Sequence, residues 1–366
     1  MYCLFLLLCF GGFVHGAIES IEFQHAENIR AEKNPSGVLV EIAPPDGGSE
    51  PLRYLLAEKP VPPLHLPPDT RLIPVPAQRI VSLSTTYLGP LGVLDQLNRV
   101  VAVDDAAHAT DPLFRQRVES GEVSEVGTPE RLDLESVLAT KPDLVLLTRV
   151  GPGRPDLENR LAQAGIPVLV TSAWRENSPL GRAEWIKLFG VLTDRTEEAI
   201  TFFNRVSGNY EELRQSVEDV VADRPTVLLS APYGGVWYIP GGRSYSAAFI
   251  EDAGGDYLWA DNRDTGSFPL DFEAVFSRAM EADFWLNPSS YRTRQAIAAA
   301  DDRFESLPPY RSGAIYNRTR RIAEAGGNAF WESGAIRPDE VLADLINILH
   351  PDLLPDREFV FYEKLP

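Results

Sequence analysis

The stretch that most constrains the fold runs from Thr196 to about Asp223, TEEAITFFNRVSGNYEELRQSVEDVVAD. Ala199, Phe203, Val206, Tyr210, Leu213, Val217 and Val220 recur every three or four positions, which lays one apolar stripe along a single helix. Thr196 suits the N-cap, and Glu197 and Glu198 suit the positive end of the helix dipole. At roughly 1.5 Å per residue, about 25 residues span roughly 37 Å, more than a strand–helix–strand crossover needs. Similar text stands on both sides: LDLESVLATKPDLVLL (Leu132–Leu147) before, LDFEAVFSRAMEADFWL (Leu270–Leu286) after. Each reads as a helix start, a short helix, then an acidic residue opening a buried strand. The pattern predicts two related lobes joined by a stiff helical spacer.

The flanking sequence alternates strand and helix. Ile80–Leu83, Val100–Val103, Asp143–Leu147 and Val168–Val170 read as strands, with helices at Leu88–Leu97, Leu134–Thr140 and Asp156–Ala164 between them. Pro179–Leu192 reads as one further helix. After the spacer, strands are expected at Thr226–Ser230, Gly255–Trp259, Asp283–Leu286 and Ala314–Tyr316, and helices at Ser246–Ala253, Leu270–Met280, Arg292–Ala300 and Pro338–Leu349. Short connections in such an alternation predict an α/β fold with central parallel sheets. The expected divisions are 1–16, a signal peptide; 17–78, an extension; 79–195, the N-terminal lobe; 196–223, the interlobe helix; and 224–366, the C-terminal lobe.

Tyr2–Val14 is an apolar run ending in Val14-His15-Gly16, too short to span a bilayer and suited to a signal-peptide core, so export to the periplasm and cleavage near Gly16 are expected. Cys3 and Cys9, the only cysteines, both lie in this run. A mature chain would have no thiol chemistry, and Leu8 before Cys9 is bulky for a lipid-anchor site. In the extension, Gly37–Ile42 and Leu52–Leu56 read as a β-hairpin or two packed on the first lobe. Pro60, Pro62, Pro63, Pro67 and Pro68 then make a stiff linker.

Acidic residues number 53 against 34 basic ones, a net charge of −19. That excludes a basic footprint for nucleic acid and reads as a solubilising surface. The five histidines share no helical or hairpin spacing, so no dedicated metal site is expected. No G-x-S-x-G or strand-then-helix G-x-G-x-x-G is present, and nothing resembles a catalytic constellation. No cofactor is expected.

Aromatic residues concentrate in loops that follow strands, where α/β sheets carry their ligands. Tyr87, Trp174 and Arg175 stand there in the first lobe. Tyr233, Trp237, Tyr238 and Arg263 stand there in the second, and Trp331 lies in the glycine-rich GGNAFWESG. Aromatic faces and a cation suit a large, partly anionic ligand, with Arg243 a further candidate cation. Trp237→Ala or Trp331→Ala is expected to weaken binding by more than about tenfold. Trp185 and Trp285, on a helix and a strand, read as core. Glu135 and Glu273 occupy equivalent repeat positions, either as first-turn carboxylates favoured by the dipole or as one acidic knob per lobe shown to a partner.

RIVSLS (79–84), LDLESVLATKPDLVL (132–146), the long helix and DAGGDYLW (252–259) together resemble the periplasmic solute-binding proteins of ABC importers that take up iron–siderophore complexes, haem or cobalamin. The resemblance covers about Pro76 to Leu354 and leaves the extension outside. It implies a monomer with two lobes and a ligand in the cleft between them. It also implies modest closure and one glutamate per lobe, matching Glu135 and Glu273, docking to permease arginines. A ligand sensor, or an enzyme on the same scaffold, are the alternative classes.

Overall fold

The computed structural model describes residues 21–58, 66–149, 155–218 and 223–366. The expected signal peptide with Cys3 and Cys9, the prolines Pro60, Pro62 and Pro63, and Val220 lie outside these residues.

The extension is one four-stranded sheet rather than separate hairpins. β1 (Ile29–Asn34), β2 (Gly37–Ile42), β3 (Leu52–Ala57) and β4 (Arg71–Pro74) lie in that order, antiparallel except for the parallel β3–β4 pair. Alternation along β2 buries Val38, Val40 and Ile42, which pack with Ile80, Leu144 and Leu169 of the first lobe in one core. Two carboxylates from the first lobe fasten the strand entry. Glu184 accepts the Gln24, His25 and Ala26 amides at 2.9, 2.7 and 2.9 Å, and Glu176 accepts those of Glu27 and Asn28 at 3.0 and 2.9 Å. Lys187 bridges Glu184 (2.6 Å) and the Glu22 carbonyl (2.8 Å).

Burial alone would push the Glu184 carboxyl up, but Lys187 and the three amides outweigh it and hold the group below the ordinary range. A depressed carboxyl contributes stability above its unfolded value, about 4.3, and loses it as pH falls through the folded value. Glu184→Gln should therefore cost about 2 kcal/mol at neutral pH. It should also flatten the acid limb of stability against pH, both read from urea unfolding at pH 7 and pH 4.

The first lobe follows with β5 (Ile80–Leu83), β6 (Val100–Val103), β7 (Ser124–Glu125), β8 (Leu144–Thr148) and β9 (Val168–Thr171). They form an all-parallel sheet in the order β7-β6-β5-β8-β9. The segment Pro179–Leu192, expected as one helix, divides at Trp185 into Pro179–Glu184 and Ile186–Thr193, and the Trp185 indole N–H donates to Glu176 at 2.9 Å. The second lobe holds β10 (Thr226–Leu229), β11 (Trp237–Pro240), β12 (Asp256–Tyr257), β13 (Ser267–Leu270), β14 (Phe284–Leu286), β15 (Ile315–Asn317) and β16 (Glu363–Lys364). Its sheet runs β12-β10-β14-β15-β16, parallel except for β16, while β11 and β13 make a separate antiparallel ribbon.

The sequence repeat has a physical basis in both lobes. Asp133 and Asp271 are the N-caps of helices Leu134–Ala139 and Phe272–Ala279, accepting the Ser136 amide at 3.3 Å and the Ala274 amide at 2.8 Å. The acidic residues at the other end tie each strand to the first strand of its sheet. Asp143 accepts the Gln78 and Arg79 amides (2.8 and 3.0 Å), and Asp283 accepts the Thr226 amide (2.8 Å).

The spacer helix is described over Thr196–Glu218. Its stripe serves two cores in turn: Ala199, Phe202, Phe203 and Val206 belong to that of the first lobe, Tyr210 and Val217 to that of the second. Tyr210 also donates to Asp252 at 2.5 Å, pinning the C-terminal half to the helix Tyr245–Asp252.

Candidate ligand-binding cleft

Each sheet reverses its strand order at one point, between β5 and β8 in the first lobe and between β10 and β14 in the second. Loops at the carboxyl ends of strands beside such a reversal open a crevice. Here the two crevices face each other, and three compartments of about 350, 430 and 420 Å³ lie between the lobes. Trp331 borders all three. It stands on the short helix Ala329–Glu332, which Asn328 caps by accepting the Phe330 amide at 2.9 Å.

That helix touches the first lobe directly. Glu332 accepts the Thr110 and Asp111 amides at 2.9 and 3.0 Å. The backbones approach so closely that a Cβ at Gly327 would fall 1.8 Å from the His108 carbonyl oxygen, and one at Gly89 would fall 2.0 Å from that of Glu332. Burial raises the Glu332 carboxyl above its ordinary range.

The first compartment is apolar. Tyr87, Trp174, Trp185 and Phe189 of the first lobe line it together with Trp331 of the second. The Tyr87 hydroxyl is shared with Thr148 (2.6 Å) and Thr171 (2.9 Å), so its ring is fixed edge and face, and burial drives its ionisation far above the ordinary range. The Trp174 indole N–H donates to the Arg149 carbonyl at 3.0 Å. The other two compartments are polar. Asp104, His108, Ser289, Asn317 and Arg318 contribute to the second. Arg175, Arg182, Ser244 and Ser246 contribute to the third.

Two arginines flank Trp331. Arg182, from the first lobe, lies 5.8 Å from its ring centroid and 3.8 Å from that of Tyr245; Arg318, from the second, lies 4.4 Å from Trp331 and 4.7 Å from Phe330. Burial pushes both guanidinium groups below their ordinary range, and among the described residues neither forms a salt bridge. Arg182 gives one N–H to the Trp174 carbonyl (2.8 Å) while its buried Nε has no partner. A desolvated cation without an ion-pair contact is costly, even with the Glu176 carboxylate acting on Arg182 from farther off, and a ligand's oxygen atoms would relieve it.

Of the residues selected from sequence, Tyr87, Trp174, Arg175 and Trp331 meet in this cleft. Tyr233, Tyr238, Trp237 and Arg263 do not. Tyr233 is exposed at the turn before β11, with its amide and carbonyl paired to Val236, and Tyr238 is exposed on β11. Arg263 and Arg243 are exposed on loops beside the third compartment without bordering it. Trp237 is wholly buried, 5.9 to 6.2 Å from the rings of Trp285, Phe304 and Phe272, its indole N–H donating to the Ser230 hydroxyl at 2.9 Å. Alternation along Trp237-Tyr238-Ile239 turns the tryptophan inward and the tyrosine outward. Sequence reasoning missed Arg182 and Arg318. Arg318 follows β15 directly, so the strand-end loop that points to the aromatics points to it as well.

Glu135 and Glu273 are exposed in the first turns of their helices. A helix that runs back into a parallel strand starts at the strands' carboxyl edge, so both glutamates stand on the rim that bears the cleft. Glu273 meets Arg303 at 3.5 Å in an exposed pair of little energetic weight. Among the described residues no cluster of histidine, cysteine and carboxylate side chains could hold a metal ion, and no helix is long and apolar enough to cross a membrane.

Comparison with known proteins agrees with this architecture. The chain is 24% identical over 303 residues to an uncharacterized lipoprotein of Methanocaldococcus jannaschii, covering 80% of this chain and 70% of that one. It is 28% identical over 202 residues to the cobalamin-binding protein of Halobacterium salinarum, covering 55% and 52%. Among solved structures, a periplasmic haem-binding protein of Pseudomonas aeruginosa superposes with TM-score 0.60 at 19% identity, covering 79% of this chain and 98% of that one. The molybdate-binding MolA of Haemophilus influenzae does so with TM-score 0.61 at 19% identity, covering 78% and 90%. The sequence profile described as "Periplasmic binding protein" matches residues 80–320, well over half of the chain. With its two mainly parallel sheets, its long joining helix and its interlobe cleft, this chain belongs to the periplasmic binding protein family.

Proposed function

We propose that this protein is exported and captures a metal chelate or corrinoid — an iron–siderophore complex, haem or cobalamin — between its lobes, and that it hands the ligand to an ABC permease. The observation that carries this reading is Trp331, placed where three compartments meet and flanked by Arg182 and Arg318. Aromatic faces receive a broad apolar body, while the cations receive oxygen-rich edges. The haem-binding structural neighbour and the cobalamin-binding relative support this range of cargo. The site holds its ligand without covalent chemistry. Tryptophan fluorescence titrated with haemin, cyanocobalamin and a ferric siderophore should saturate at micromolar or lower concentration, on the order of −8 kcal/mol, with one of them. A flat response to all three would remove this class of cargo.

Delivery rests on Glu135 and Glu273, one per lobe on the cleft rim. Reversing both to lysine should leave ligand affinity unchanged and reduce uptake by cells more than about tenfold, through lost electrostatic matching with the permease. Uptake at the wild-type rate would favour a ligand sensor instead.

A further inference from the structure

The extension stands before the segment that matches the family profile, yet it does not end at the back of the first lobe. Glu27 and Asn28, at the entry to β1, border the third compartment together with Arg182 of the first lobe and Ser244 and Ser246 of the second. Their position is fixed, because both amides are held by the buried carboxylate of Glu176. A second tie runs from the extension to the same wall. Arg175 donates to the Pro44 carbonyl, and Ser172 to that of Ala43 at 2.9 Å, so the extension also holds the 172–176 loop that carries Trp174. A Cβ at Gly181 would fall 2.7 Å from the His25 carbonyl oxygen, so the two backbones are in contact and the sheet cannot shift inward or tilt without disturbing the helix that bears Arg182.

Beside the carboxylates of Glu27 and Glu176, that compartment holds two unfilled donors. The Arg182 Nε is buried and unpartnered, and its guanidinium carbon lies over the ring of Tyr245, the first residue of the helix Tyr245–Asp252. The Ser244 oxygen accepts the Ala247 amide at 3.3 Å and retains its own proton to give. The Glu176 oxygens, by contrast, are engaged by two amides and the Trp185 indole. We infer that the extension is the third wall of the ligand site, and that this compartment takes a carbonyl-bearing arm, carboxylate or carboxamide, of a ligand whose apolar body lies between Tyr87 and Trp331. The inference rests on the capture reading above and adds a part of the chain outside the family segment to the binding site.

The test is calorimetric titration of the full chain with haemin, whose arms are carboxylates, and with cyanocobalamin, whose arms are carboxamides. Asn28→Trp fills the mouth of the compartment and should weaken binding of whichever probe the wild type takes by more than about tenfold. Glu32→Trp, on the exposed part of β1, should leave it unchanged. Glu27→Arg, an exposed substitution that the fold tolerates, should alter the same affinity by at least about threefold, whether or not Asn28→Trp folds. Wild-type affinity in the Asn28→Trp and Glu27→Arg variants, with native unfolding midpoints, would overturn the third wall while leaving capture intact. A folded wild type that binds neither probe would overturn both readings for tetrapyrrole cargo.

Discussion

Trp237→Ala is expected to destabilise the protein by roughly 3–5 kcal/mol, the cost of an indole-sized cavity in a closed core. Trp237 is wholly buried at the centre of a ring cluster with Phe272, Trp285 and Phe304, and its N–H is paired with Ser230. The lost contacts are packing contacts, so the variant that still folds should bind ligand with the wild-type constant. Urea unfolding gives the first quantity and fluorescence titration in folding conditions the second. A loss of affinity without loss of stability would return Trp237 to the cleft.

Trp331→Ala should do the reverse. Affinity for the captured ligand should fall roughly thirtyfold or more, about 2 kcal/mol, as for a central aromatic anchor at an interface. Stability should change by less than about 1 kcal/mol, since Trp331 keeps 36% of its surface exposed. Unaltered binding would show that the apolar compartment is not the seat of the ligand. The pair of variants therefore separates the two roles that one residue type plays in this chain.

Most of the architecture is written locally. The helical stripe of the spacer, the strand–helix alternation and the L-D-x-E repeat are short-range patterns, and Asp133, Asp271, Asp143 and Asp283 act within a few residues or on a neighbouring strand. The cleft is written non-locally. Trp237 looks like a loop aromatic until β11 is seen to pair with β13, about thirty residues on, which sets its inward face. Arg182 sits in the helical stretch G-R-A-E-W-I-K beside two other charged residues, and only the folding of Tyr245 and Trp331 against it makes it a site residue. The fourth strand of the extension was invisible for a similar reason, since Arg71–Pro74 is short and its partner β3 lies across the proline-rich segment.

The spacer helix has a thermodynamic consequence. The buried residues of its N-terminal half belong to the first core and those of its C-terminal half to the second, and each half is about ten residues, too short to persist in water unsupported. If either lobe melts, its half of the helix frays, and the half left on the surviving lobe loses the helical continuity that helps to hold it against its own core. Two folding units that share one indivisible element cannot melt independently. Damage in one lobe is therefore a debit against the whole molecule, and a single calorimetric peak, with equal van't Hoff and calorimetric enthalpies, is its expected signature.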